Sequence, residues 1–124
     1  MYWGVPFLVQ RAAVARYFIL YSCGGLYADL DTFPNRDRFP KVPLGVCTML
    51  AGETTAMSSI HFEMDVVVAE KDNPAIMEIL WDMKGSMAEK AAWQYSIANS
   101  RQWWFISKTT GPVAVSETLQ YGGY

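Results

Sequence analysis

The chain has 124 residues and a formal net charge of −2, with 10 Lys and Arg against 12 Asp and Glu. No basic cluster or stripe stands out, which argues against nucleic acid as the main partner and gives an anionic membrane surface nothing to hold. Hydrophobic residues make up 52 % and charged residues 18 %, the balance of one small domain with a filled core and not of a disordered tail.

No run is long and apolar enough to span a bilayer; residues 7–25 come nearest but contain Gln10, Arg11 and Arg16. Residues 1–9 are too short, and lack the basic residues, for a signal peptide. The chain therefore reads as soluble. Its two cysteines, Cys23 and Cys47, have no metal-type spacing and read as free buried thiols, which suits a reducing, cytoplasmic compartment.

Residues 1–6 are a lead-in with Gly4 and Pro6 as breakers. Residues 7–22 contain no Gly or Pro and are apolar nearly all round, which predicts a buried helix that stops at Gly24. Arg16 is an unusual guest in it: either its stem packs while its head reaches water, or its guanidinium faces a site. A short hydrophobic strand follows, Leu26-Tyr27-Ala28, then two carboxylates one residue apart, Asp29 and Asp31. In an extended strand, positions i and i+2 share a face, so both acids are expected to point one way with Leu30 opposite. Two close carboxylates resist ionising together, and a hard divalent ion such as Mn²⁺ or Mg²⁺ removes that conflict. A bare Asp-x-Asp is also what a solvated turn carries.

Residues 32–43 hold three prolines and read as loop; Asp37 within it is either a helper to a metal or a solvated acid. Residues 44–50 read as a buried strand, 51–59 as a polar loop, and 60–70 as a strand entering a core. In that strand Ile60, Phe62, Met64 and Val66 take one face, and His61, Glu63 and Asp65 the other. Asn73 is a good N-cap and Pro74 a good first helical residue; Gly85 is expected to end that helix. Ser86 and Glu89 then form a capping box for a second helix, with Met87, Ala91, Tyr95 and Ala98 inward. Trp103-Trp104-Phe105 is either packing or a stacking surface. Thr110-Gly111-Pro112 is a helix start whose backbone N–H groups suit an anion, and residues 113–121 are the last helix.

Arg16-Tyr17, Leu20-Tyr21, the run Gly24 to Thr32 (GGLYADLDT) and Pro34 resemble the core of the DXD sugar transferases. These include fungal initiation-specific α-1,6-mannosyltransferases, their bacterial capsule and lipopolysaccharide relatives, and the glucosylating domains of some toxins. Downstream, residues 72–76 (DNPAI) resemble the family's GHP helix start and Thr110-Gly111-Pro112 its TGP loop. The resemblance implies an α/β fold: a partial core of the GT-A type, the nucleotide-diphospho-sugar transferase fold, with a small mixed sheet flanked by helices. It implies transfer of a sugar from a UDP- or GDP-sugar donor to a glycan or other hydroxyl acceptor, with retention at the sugar, as in polysaccharide biosynthesis.

On the same resemblance, Asp29 and Asp31 are the metal ligands for Mn²⁺ or Mg²⁺, and Asp29, Asp31 and Arg16 are the catalytic set. Arg16, Gly24, Gly25, Tyr27, Asp29, Thr110 and Gly111 are the substrate-binding set. The family pattern also places an Asp three residues before the Arg; this chain has Ala13 there. It places a metal-binding His beyond the TGP segment, and His61, the one histidine, does not match it. Against the family, residues 1–124 read as a single truncated core without the N-terminal nucleotide-binding half. A sheet cut in this way leaves an edge that a partner chain or a second copy of this chain is expected to cover. The alternative function is a non-catalytic remnant that binds metal, carbohydrate or partner.

Overall fold

The computed structural model describes residues 6–33, 48–54, 59–89 and 105–122, with the backbone alone at 48–54 and 59–63. In chain order the elements are α1 (Leu8–Cys23), β1 (Gly25–Ala28), β2 (Thr48–Thr54), β3 (Ser59–Ala69), α2 (Pro74–Glu89), α3 (residues 105–109) and α4 (Pro112–Tyr121). The described strands form one sheet in the order β1-β3-β2. Both pairings are antiparallel, so the mixed sheet expected from the resemblance is not what these strands form.

Alternation along β3 sends Val67 and Ala69 into the core and leaves Val66 and Val68 on the opposite side of the sheet. Val14, Tyr17 and Leu20 of α1 meet Ala75, Ile76, Ile79, Leu80 and Met83 of α2 and Val115 and Leu119 of α4 around those two residues. The helical stripe in α2 continues to Met87, which packs on the same core. That packing carries the helix straight through Gly85, at a propensity cost of about 1 kcal/mol. The expected break at Gly85 and second helix from Ser86 are thus corrected to one helix as far as Glu89; Ala91, Tyr95 and Ala98 lie outside the described residues.

Other expectations shift in similar ways. Residues 51–54 are strand and not loop, because they pair with β3 from Gly52↔His61 outward. α1 is not buried all round: Leu8, Val9, Phe18 and Ile19 are exposed, since only one side of the helix meets the core. Cys23 ends α1 as an exposed free thiol, not a buried one. Asp37, Cys47, Trp103 and Trp104 fall outside the described residues.

The end of α1 is tied to the turn before α2. Gly24 has φ +67 and donates its N–H to Leu20 O at 2.8 Å. A Cβ on Gly24 would lie 2.6 Å from Lys71 N. Asp72, at φ 59, donates its N–H to Tyr21 O at 2.8 Å, and Asn73 Oδ1 caps α2 by accepting from Ala75 N at 3.0 Å. The position that resembles the family's glycine therefore has a glycine's conformation.

Two substitutions test this junction in urea unfolding. Gly24→Ala adds backbone strain and a backbone clash and should cost about 2–4 kcal/mol. Asp72→Gly relieves a left-handed residue and should gain about 1 kcal/mol.

Candidate functional site

β1 delivers the two carboxylates, but not in a strand. It ends at Ala28, and Asp29 continues the ladder by one bond, N–H to Asp65 O at 2.8 Å. The chain then turns, Thr32 N–H to Asp29 O at 3.0 Å. Strand alternation therefore does not set how Asp29 and Asp31 face, which corrects the sequence-based expectation. Asp29 is half-buried at the turn's first position, while Leu30 and Asp31 form its exposed tip.

Arg16 projects from the inner side of α1 with 9 % of its surface exposed. Its Nη1 donates to Met64 O at 2.6 Å and its Nη2 to Asp29 Oδ1 at 2.9 Å. Its guanidinium carbon lies 4.1 Å from the centroid of the Tyr27 ring, in cation–π range. Tyr27 in turn donates its hydroxyl to Asp29 Oδ1. Of the two readings of Arg16, the structure has the one in which the head faces the Asp29 carboxylate. One oxygen of Asp29 thus takes two donors, which fixes the plane of the carboxylate and leaves Oδ2 outside both bonds.

The Met64 carbonyl is free for Arg16 because β3 is irregular there. β2 pairs Met49 with Val67 and then Leu50 with Glu63, so residues 64–66 have no partner on β2. Bulges of this kind re-aim groups next to active sites. The same stretch brings Asp65 opposite Asp29. Partial burial, followed by the charges of Asp29 and Asp31, pushes the Asp65 carboxyl up from its ordinary value, with Arg16 opposing. Burial and the bond to Asp29 push the Tyr27 hydroxyl up, so it remains a donor.

Gly24, Gly25, Thr110 and Gly111 contribute backbone and turn geometry. Gly24 and Gly25 (φ +109) form the link from α1 to β1, Gly24 packed against backbone and Gly25 in open space. Thr110 and Gly111 are buried, and both donate their N–H groups to Ile106 O, at 3.0 and 2.9 Å. A Cβ on Gly111 would lie 2.7 Å from Ser107 Cα. Beside them, Gln10 Nε2 donates to Thr109 Oγ1 at 2.7 Å, and Thr109 Oγ1 donates to Phe105 O at 2.6 Å. The Thr110 and Gly111 amides thus hold the start of α4 in place. Asp65 was missed by sequence reasoning, which set it with His61 and Glu63 on a polar side. The available signal was an acid two residues before Val67, on the side of the strand that enters the core. Among the described residues no group of three or more His, Cys, Asp or Glu is arranged to hold a metal.

Residues 2–46 match the family model described as "Glycosyltransferase sugar-binding region containing DXD motif". This part of the chain is thus similar to the sugar-binding region of DXD-motif glycosyltransferases. Among curated proteins it is similar to inositol phosphoceramide mannosyltransferase 3 of Schizosaccharomyces pombe, 26 % identical over 114 residues. That alignment covers 73 % of this chain and 32 % of the relative, so the chain spans about a third of the length of the protein it matches.

Removing one partner from the Arg16–Asp29 pair takes a charge-assisted hydrogen bond from a half-buried carboxylate. Arg16→Met should therefore lower stability by about 3 kcal/mol, and Tyr27→Phe by about 1 kcal/mol, in denaturant melts. With its folded value raised above the ordinary 10.0, the stabilisation from Tyr27 is complete below pH 10 and lost as pH rises through the folded value. Tyrosinate absorbance of wild type minus Tyr27→Phe should show a transition above pH 10.

Proposed function

We propose that the Asp29–Asp31 turn is the donor site of a metal-dependent glycosyltransferase that moves a sugar from a nucleotide diphosphate to a hydroxyl acceptor. The observation that carries this reading is the buried Arg16, which together with Tyr27 fixes one carboxylate of the DXD pair while the turn leaves the other exposed. This donor set fits a hard cation that takes one or two carboxylates and completes its shell with water and substrate phosphates. Asp31 would hold Mn²⁺ or Mg²⁺ directly, and Asp29 Oδ2 would take the metal through water or a ribose hydroxyl. Such a cation supplies charge stabilisation to the departing diphosphate. Tyr27 and Arg16 keep Asp29 oriented, so no reorganisation is needed when substrate arrives.

Ala13 favours a second reading, a module that binds metal or carbohydrate without turnover. It is 5 % exposed and three residues before Arg16, where the resembling family has an Asp. Arg16 Nε is buried with no hydrogen-bond partner among the described residues. Ala13→Asp would offer that Nε an acceptor. If the donor pocket is otherwise complete, this variant should bind a nucleotide sugar about tenfold tighter and raise transfer; no change in transfer favours the module.

The exposed Leu8, Val9, Phe18 and Ile19 on α1 support a partner chain or second copy over that helix. A constant monomer mass in gel filtration across concentrations would refute it.

Calorimetric titration of UDP and GDP with and without Mn²⁺ tests the donor site. Nucleotide binding should require the metal and weaken at least tenfold in Asp31→Asn. Binding indifferent to metal and to Asp31 overturns the reading.

A further inference from the structure

The outer side of α1 is apolar where a surface helix is normally charged. Between residues 8 and 19 its exposed residues are Leu8, Val9, Ala12, Phe18 and Ile19, with Ala15 half-buried beside them. Leu8, Ala12, Ala15 and Ile19 follow the spacing i, i+4, i+7, i+11, which sets them in one stripe along the helix. Leu8 keeps 80 % of its surface in water and Ile19 63 %. Val9 and Phe18 flank the stripe, one on each side. An apolar face of this extent marks a contact surface.

The order of the side chains points to what covers it. Leu8 and Ile19 are equally far along the chain from the midpoint between Ala13 and Val14. So are Val9 and Phe18, and so are Ala12 and Ala15. The stripe therefore reads large, small, small, large from either end. A second α1 turned end for end sets Leu8 against Ile19 of the second copy and Ala12 beside Ala15 of the second copy. Val9 and Phe18 then close the two flanks at matching levels. Alanines at the centre let the helix axes approach to about 8 Å. A patch that matches itself under a two-fold is what a closed, isologous dimer requires. The formal net charge of −2 puts little repulsion between copies.

We infer that this face is a homodimer interface, in which two α1 helices pack antiparallel about a two-fold axis level with Ala13 and Val14. Arg16 lies on the inner side of the same helix, so the contact does not depend on the donor-site reading. One helix face per copy is at the small end of specific interfaces, so the dimer should dissociate at about 10–100 µM.

Sedimentation equilibrium of the full chain, loaded from about 1 to about 500 µM, tests this. Wild type should pass from monomer to dimer mass over that range. Leu8→Glu and Ile19→Lys change exposed positions and suit the helix dipole at their ends, so both should keep the wild-type circular dichroism. Each alone should weaken dimerisation at least about tenfold, because it buries an unpaired charge. Mixed in equal amounts, the two variants should recover the wild-type dissociation constant within about threefold. An antiparallel pair sets the introduced carboxylate against the introduced ammonium at one end and leaves Leu8 against Ile19 at the other. Monomer mass at every concentration overturns the inference and gives the face to a different chain. A dimer indifferent to both variants overturns it too, because another surface then holds the copies together. A mixture no tighter than either variant overturns the antiparallel two-fold.

Discussion

A guanidinium almost shut off from water must find partners for its donors, and Arg16 finds them on two chain segments at once. Its stem runs through the packed side of α1, beside Ala13 and Tyr17. Its head joins the carbonyl of Met64 on β3 to the carboxylate just past β1, above the ring of Tyr27. The geometry of Asp29 is therefore inherited from the helix–sheet packing and not from the loop that carries it. That packing in turn rests on Val14, Tyr17 and Leu20 meeting Val67 and Ala69. A site built this way is preorganised at the cost of placing a charge in the interior.

Much of this was legible in the sequence. A lone arginine in an apolar helix, a glycine pair, an aromatic strand and Asp-x-Asp gave the α1–β1–acid order and left Arg16 facing either water or a site; the structure pairs it with Asp29. Asn73-Pro74 and Gly111-Pro112 marked helix starts because capping and proline preferences act locally, within one turn. What escaped depends on tertiary contacts. Gly85 does not stop α2, since the stripe from Ile76 to Met87 has a core to pack on. Asp29 to Thr32 is a turn because its hydrogen bond closes within the segment once β1 runs out of ladder.

Asp65 is the sharper case. Its alternation set it with His61 and Glu63 opposite Met64 and Val66, and a bulge leaves residues 64–66 without a partner on β2. No pattern of residue types announces a register slip, because it is decided by which carbonyls the neighbouring strand can reach. Thr110 and Gly111 teach the converse. A Thr-Gly-Pro string suits anion binding in isolation, and here its amides close onto Ile106 instead.

The slip between Met49 and Leu50 also divides the sheet into two parts with different freedom to vary. The inner part, β1 with residues 64–69, is pinned by helix packing and by Arg16. The outer part, residues 50–54 of β2 with residues 59–63, meets it across a break in the ladder, so a residue gained or lost in β2 can be absorbed there as a change of bulge size. Divergence and insertion should therefore collect in that outer hairpin, where the chain can acquire new surface loops while the carboxylates stay where they are.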